Sequence, residues 1–278
     1  MATVEIAVAS RRAQGIRPFL KWAGGKRQLL AELLRHVPRS YGRYLEPFVG
    51  GGALFFALRP RRAILADVNE RLIRAYKGVR DNVDDVVGLL RSYPYEPGFF
   101  YRMRDVDIDA RSDAEVAAWF VYLNKAGFNG LYRVNRRNKF NVPFGRYTNP
   151  TICDEVALRA CSAALAGTEL LTLDFEVVCA RAKPGDFVYF DPPYVPLSTT
   201  SSFTSYTSHG FGPEQQTRLR DAARALKERQ VNVLLSNSSA PLVRHLYADG
   251  FESLEVSATR AVNSKASGRG ALIELVIR

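Results

Sequence analysis

Phe187-Val188-Tyr189-Phe190-Asp191-Pro192-Pro193-Tyr194 is the stretch that decides how this chain folds. Its four apolar and aromatic residues form the short continuous run expected of a strand buried in a parallel sheet. Asp191 then stands at the carboxyl end of that strand, where open α/β sheets place their chemistry. Two successive prolines remove two backbone N–H donors and restrict the residues before them, so the turn is stiff and presents bare carbonyl oxygens. Asp191 and the Pro192 carbonyl offer two acceptors to one planar amino group, and Tyr194 adds an aromatic face at the height of a flat ring. The arrangement suits an exocyclic amine on a nucleobase stacked over a phenol. The competing reading is a Pro-rich turn with an exposed Asp and a packed Tyr.

The flanking sequence repeats the strand-then-acid pattern. Tyr44 to Phe48 leads into Gly50-Gly51-Gly52 and then the apolar helical start Ala53 to Leu58, which reads as strand, glycine turn, helix. Ala63 to Ala66 makes a second short strand ending at Asp67, and Glu70 to Asn82 resumes helical spacing. Thr168 to Leu173 ends in Asp174, and Val231 to Ser236 follows a helix opened by Pro213, a residue suited to the first helical turn. Phe251 to Thr259 and Ala271 to Ile277 read as two terminal strands, joined by a Gly/Ser loop short enough for an antiparallel pair. Upstream, Leu29, Leu30, Leu33, Leu34 and Val37 recur at helical spacing until Pro38. The alternation lapses from about Asp84 to Tyr147, which marks an inserted module, and residues 1–16 form a basic arm with Arg11-Arg12. The fold class is therefore α/β with an insertion.

The chain has 278 residues, 47% of them apolar and 11% aromatic, ample for a core. Lys and Arg number 39 against 28 Asp and Glu, and the net charge of +11 points to a polyanionic partner such as nucleic acid. No stretch approaches the roughly 18 uninterrupted apolar residues of a membrane span. Residues Met1 to Ala9 lack the basic start of a signal peptide, so an intracellular protein is expected. Cys153, Cys161 and Cys179 show no C-x-x-C spacing, and His36, His209 and His245 are scattered, so neither a disulfide framework nor a metal site is expected.

Gly50 to Gly52 between a strand and a helix permits close approach to the backbone, and Asp67 follows at the end of the next strand. An acidic residue roughly 20 positions after the glycines accepts ribose hydroxyls in nucleotide-binding folds. Phe55 stands where the third glycine of a dinucleotide fingerprint belongs, which favours a ligand without a pyrophosphate. The nucleoside of S-adenosylmethionine, with its cationic sulfonium and amino group, suits a pocket edged by Glu46, Asp67 and Asp174. Ala23-Gly24-Gly25-Lys26 does not make a phosphate-binding loop, because Leu20 replaces its first glycine and Arg27 its Ser or Thr. Arg133, Arg136, Arg137, Lys139 and Arg146, interleaved with Phe128, Tyr132, Phe140, Phe144 and Tyr147, have the composition of a nucleic-acid-reading surface. The Ser/Thr-rich run from Ser198 to Ser208 is placed to close over a site at Asp191.

Taken in order, Phe19-Leu20-Lys21-Trp22-Ala23-Gly24-Gly25-Lys26, Glu46-Pro47-Phe48-Val49-Gly50-Gly51-Gly52, Leu65-Ala66-Asp67-Val68-Asn69, Asn129-Gly130-Leu131-Tyr132-Arg133, Phe140-Asn141-Val142-Pro143-Phe144-Gly145-Arg146-Tyr147 and Asp191 to Tyr194 carry a family pattern. The chain resembles the DNA adenine-N6 methyltransferases of the Dam type, the class alpha or D12 family with a DPPY motif, over about residues 19 to 277. The resemblance implies a Rossmann-like methyltransferase sheet, mostly parallel with an antiparallel last strand, and an inserted, mainly helical DNA-recognition domain. It divides the chain into an arm at 1–18, a catalytic domain at 19–76 and 154–278, and a target-recognition domain at 77–153. By the same resemblance Asp191, Pro192, Pro193 and Tyr194 hold the flipped adenine and carry catalysis. Trp22, Lys26, Glu46, Phe48, Gly50, Gly52, Asp67, Asp174, Phe175 and Asp191 line the S-adenosylmethionine pocket. Lys21, Phe128, Asn129, Arg133, Arg137, Pro143 and Tyr147 contact double-stranded DNA, with Arg133 as guanine reader and Phe128 as an aromatic wedge.

The expected reaction is direct methyl transfer to N6 of an extruded adenine within GATC, without a covalent enzyme intermediate. A monomer acting on DNA in a bacterial or phage-infected cytoplasm, alone or beside a restriction enzyme, is the accompanying expectation. A cytosine-N4 methyltransferase more often carries Ser at the position of Asp191, and a catalytically silent DNA-binding relative need not keep both motifs.

Overall fold

The structure is a computed structural model that describes residues 16–22, 29–195, 211–259 and 271–278. In chain order its elements are α1 (Leu30–His36), β1 (Tyr44–Glu46), α2 (Ala53–Leu58), β2 (Ala63–Asp67), α3 (Glu70–Asp81), α4 (Val83–Ser92), α5 (Pro97–Asp105) and α6 (Asp113–Ala126). They continue with α7 (Glu155–Leu165), β3 (Glu169–Thr172), α8 (Phe175–Ala180), β4 (Phe187–Phe190), α9 (Pro213–Glu228), β5 (Asn232–Ser238), α10 (Pro241–Leu246), β6 (Ser253–Thr259) and β7 (Ala271–Ile277). The chain divides into a helical unit, Met1–Gly25, Gly50–Arg61 and Asn69–Thr168, and a sheet unit, Lys26–Val49, Arg62–Val68 and Glu169–Arg278. Among the described residues no helix is long and apolar enough to cross a membrane.

The sheet unit holds seven strands in the order β3-β2-β1-β4-β5-β7-β6. All neighbours are parallel except that β7 runs antiparallel to both β5 and β6. This is the mostly parallel Rossmann-like sheet that the family resemblance implies, and the terminal strands form the expected antiparallel pair, Ser253 facing Ile277 and Thr259 facing Ala271. Strand β4 is central, and Phe187 to Phe190 are all buried, each contributing about 1.5–3 kcal/mol by leaving water. Val188 and Phe190 pack with Leu219 and Ala223 of α9 and Val243 of α10 in one core. Helices α9 and α10 begin with Pro at the first turn, as the sequence of α9 predicts.

Several strand boundaries differ from expectation by one or two residues, two of them for identifiable reasons. Thr168 does not open β3, because its backbone N–H and hydroxyl both donate to the Leu165 carbonyl and finish α7 instead. β5 runs past Ser236 to Ser238, carried by pairing of Asn237 with Leu275 and Ser238 with Glu274.

The helical unit is organised around α6, in which Val116 to Asn124 are all buried. A helix apolar on every side belongs in the middle of a bundle. Its start is fixed by a capping box: Ser112 Oγ accepts from the Glu115 N–H, and Glu115 Oε2 accepts from the Ser112 N–H. Gly78 of α3 lets the two helices touch, since a Cβ there would lie 2.2 Å from the Asp113 carbonyl oxygen. Residues 133–141, within the expected insertion, form a small antiparallel hairpin. Val134 pairs with Phe140, the Asn141 N–H donates to the Arg133 carbonyl, and Asn135 Oδ1 accepts from the N–H groups of Arg137 and Lys139.

Candidate active site and nucleic-acid interface

In the sheet unit, β1 is flanked by β2 on one side and β4 on the other, so the strand order reverses between β1 and β4. Ligands of open α/β sheets bind at the carboxyl ends of the strands at such a switch point. Glu46 is the last residue of β1, and Asp191 directly follows β4. Both sequence motifs thus end on the same rim of the sheet.

Asp191 to Val195 are held by side chains from neighbouring elements. The Ser236 hydroxyl donates to Asp191 Oδ1 at 3.2 Å and lies 2.9 Å from the Tyr189 hydroxyl. A hydroxyl has one proton, so Tyr189 donates to Ser236 while Ser236 donates to Asp191. The Tyr194 hydroxyl donates to Glu274 Oε2 of β7 at 2.6 Å. Burial, and then the negative charge of Asp191, push the Tyr194 phenol well above its ordinary value, and the same two causes act on Tyr189. Both phenols are therefore neutral donors. Gln216 Nε2 donates to the Pro193 carbonyl at 3.1 Å, and the Ser238 hydroxyl donates to the Val195 carbonyl at 2.9 Å.

The expected cofactor residues of this unit lie at neighbouring strand ends. Glu46 is 2% exposed and accepts the Tyr44 hydroxyl at 2.8 Å; burial and the Glu46 charge raise the Tyr44 phenol well above its usual range. Asp67 is the last residue of β2. Asp174 caps α8 through the Glu176 N–H and accepts from Arg218 at 3.4 Å. Phe48 stacks on Phe175 at 5.4 Å between ring centres and meets Phe211 edge-on. Carboxylates at the ends of β1 and β2 and at the start of α8, together with an aromatic cluster, supply hydrogen-bond acceptors, negative charge and flat apolar faces.

In the helical unit, Trp22 covers the glycine turn. A Cβ on Gly50 would meet the Trp22 indole at 2.7 Å, so these glycines seat a side chain of the protein itself. Trp22 also stacks on Phe120 and Tyr132. Lys21 is bracketed by the buried Asn124, whose Oδ1 accepts from the Lys21 N–H and whose Nδ2 donates to the carbonyls of Lys21 and Gly130. The Lys21 ammonium lies 4.8 Å from the centre of the Tyr147 ring, and the Tyr147 hydroxyl donates to the Gly127 carbonyl. The Phe128 N–H donates to the Pro143 carbonyl, leaving an aromatic ring that is 48% exposed beside exposed Asn129 and Pro143. Arg133 stands at the foot of the hairpin, and Arg136, Arg137 and Lys139 are exposed around its turn. Arg71 of α3 anchors that turn by donating to the Asn138 carbonyl at 2.5 Å while pairing bidentately with Asp109.

The structure therefore brings Lys21, Tyr147, Phe128 and Pro143 into local contact networks of the helical unit, and gathers Glu46, Phe48, Asp67, Asp174, Phe175 and Asp191 to Tyr194 in the sheet unit. Lys26 and the Ser198 to Ser208 run lie outside the described residues, as do the arm at 1–15 and the Gly/Ser loop before β7. Sequence reasoning missed Ser236, Gln216, Ser238, Glu274, Asn124 and Asn141. The polar run Ser236-Asn237-Ser238 closing an apolar strand, and Glu274 inside an apolar one, are the signals that could have found three of these residues. Burial pushes the Cys161 and Cys179 thiols up to about 12, so both stay protonated and neither supplies a nucleophile.

The family profile described as D12 class N6 adenine-specific DNA methyltransferase matches residues 22–262. The chain is similar to the Type II methyltransferase M1.LlaDCHI of Lactococcus lactis subsp. cremoris, 46% identical over 94% of this chain and 95% of that protein. It is 40% identical to the Type II methyltransferase M.MjaIII of Methanocaldococcus jannaschii, over 94% of this chain and 98% of the relative. The DNA adenine methylase of Escherichia coli strain K12 is 38% identical, with 94% of each chain covered.

Proposed function

This chain belongs to the D12 class of N6 adenine-specific DNA methyltransferases, and we propose that it methylates an extruded adenine in duplex GATC with S-adenosylmethionine as donor. When bound, that donor supplies a methyl group made electrophilic by an adjacent sulfonium. The residues of the sheet unit suit it: Glu46, Asp67 and Asp174 offer acceptors for ammonium and ribose groups, and Phe48 and Phe175 offer a face for its adenine. Trp22, Lys26, Gly50 and Gly52 complete the assignment through their family motifs.

The amino group of adenine is a poor nucleophile because its lone pair is conjugated with the ring. In the proposed mechanism the Asp191 carboxylate and the Pro192 carbonyl each accept one N–H and draw the nitrogen toward a tetrahedral shape. With its lone pair so directed, the nitrogen would face the methyl group that the bound donor would supply, and after transfer it would give up one proton to solvent. Ser236 and Tyr189 hold the carboxylate in place, and Glu274 holds the Tyr194 ring for stacking on the base. Extruding the adenine costs a few kcal/mol, which stacking on Tyr194 and insertion of Phe128 offset. Residues 77–153 serve as the target-recognition part between the catalytic segments 19–76 and 154–278, with Lys21, Asn129, Arg133, Arg137, Pro143 and Tyr147 on the DNA.

The observation that carries this proposal is the DPPY turn at the sheet's switch point, buttressed by side chains of three other elements. Asp191→Ala is expected to abolish transfer of labelled methyl groups to a GATC duplex while S-adenosylmethionine binding stays measurable; near-normal turnover would overturn the mechanism. Sequencing-based mapping of methylated DNA tests the site, and marks outside GATC would replace that specificity with another.

A further inference from the structure

We propose that Gln216 is a positioning residue for methyl transfer, one that pins the Pro193 carbonyl and thereby aims the Pro192 carbonyl at the target amine. The inference rests on the amine clamp described above and adds a group outside the DPPY motif to it.

Gln216 lies in the first turns of α9 and is fully buried. A buried amide is costly unless its hydrogen bonds are made, and this one makes them at both ends. Its Nε2 donates to the Pro193 carbonyl at 3.1 Å, and its Oε1 accepts from Asn237 Nδ2 at 3.0 Å. Asn237 is equally buried and is fixed in turn by the Ser238 N–H, which donates to its Oδ1 at 2.8 Å. The donors fall on alternate members of the turn: Ser236 on Asp191, Gln216 on Pro193 and Ser238 on Val195. Pro192 between them is buried, and among the described residues no donor reaches its carbonyl.

Backbone geometry connects the pinned carbonyl to the unengaged one. The orientation of the Pro192 carbonyl relative to the Pro193 carbonyl depends on the φ and ψ of Pro193, because the peptide units themselves are planar. The pyrrolidine ring fixes φ, so holding the Pro193 carbonyl fixes the remaining angle. A side chain that never touches the substrate thus sets the direction of an acceptor that does.

Two variants separate aiming from mere stabilisation. Gln216→Met keeps the volume and removes both hydrogen bonds. Gln216→Glu restores them only when its carboxyl is protonated, since the neutral acid donates to Pro193 and accepts from Asn237, whereas the ionised form has no donor. Burial raises the pKa of such a carboxyl, so rescue is complete below that value and lost as pH rises through it. Single-turnover methylation of a GATC duplex is measured for each, with the fraction of active sites counted from the burst and KM determined for duplex and S-adenosylmethionine.

The expected result for Gln216→Met is a rate per active site reduced about 10- to 100-fold, with KM for S-adenosylmethionine changed less than about twofold. Gln216→Glu is expected to approach the wild-type rate at the same pH as the pH is lowered, and it provides the decisive measurement should Gln216→Met not fold. A wild-type rate per site in Gln216→Met, a loss confined to the active fraction, or a Gln216→Glu to wild-type ratio independent of pH each overturns the assignment. Turnover in Asp191→Ala overturns the clamp itself, whereas an inactive Asp191→Ala beside a fully active Gln216→Met overturns only the role of Gln216.

Discussion

Arg133 is engaged by its own hairpin along one edge. Its Nε donates to Asn141 Oδ1 at 2.7 Å and its Nη2 to the Asn141 carbonyl at 3.2 Å. A guanidinium held this way presents the end of its fork outward in a fixed direction, which suits bidentate contact with guanine O6 and N7. Arg133→Ala is expected to lose about 1–3 kcal/mol of discrimination at one guanine of the target. Methylation rates on duplexes altered at one base pair at a time measure this; a uniform loss on every duplex would identify a phosphate contact instead. Arg133 and Asp191 were both legible in the sequence, because each sits in a motif whose residue types carry their own chemistry. Asn141, Gln216 and Glu274 were not, since an amide or a lone carboxylate says nothing until the fold supplies its partner from 8, 23 or 80 positions away.

The entry into β4 depends on a junction with β1. Asp186 is almost fully buried, and its carboxylate accepts from Arg43 Nε and Nη2 and from the N–H groups of Arg43 and Lys183. Burial raises its pKa, but the hydrogen bonds from Arg43 and from the Lys183 and Arg43 backbone outweigh that and leave it below the ordinary carboxylate value. A carboxyl depressed in the folded state stabilises the fold fully above its unfolded pKa of about 4 and loses that contribution as pH falls through the folded value. Asp186→Ala is expected to cost about 3 kcal/mol at pH 7, and urea unfolding should show the gap to wild type narrowing in acid. A gap independent of pH would mean that packing rather than charge is lost. At this scale the sequence revealed the strands that end in acids, because a buried apolar run is a local pattern. It did not reveal the hairpin at 133–141 or the extension of β5, because the first is built by Asn135 side-chain hydrogen bonds and the second by pairing with β7.

Over the whole molecule the net charge of +11 makes association with DNA strongly dependent on salt. Arg136 and Arg137 are exposed around the hairpin turn that Arg71 anchors. Replacing both with Ala is expected to reduce the slope of log affinity against log salt by about 2, with preference among sequences unchanged. Filter binding across a salt series checks this, and an altered preference with an unchanged slope would assign the pair to base reading. The overall charge, the alternation of strands and helices and an inserted module could be anticipated from composition and rhythm, whereas the passages of the chain between the two units at Val49–Gly50 and Val68–Asn69 could not, because they fall inside continuous motifs. The pairing of β1 with β4 also has a kinetic side. Arg43 and Asp186 stand 143 positions apart, so closing that loop costs about 4 kcal/mol of chain entropy before any contact rewards it. Helices α3 to α6 follow one another closely in sequence and form at the pace of local contacts, while the centre of the sheet must wait for a rare long-range encounter. Competence for chemistry accordingly follows from assembly of the sheet: the DPPY turn gains its buttresses when β4 has met β5, β7 and α9.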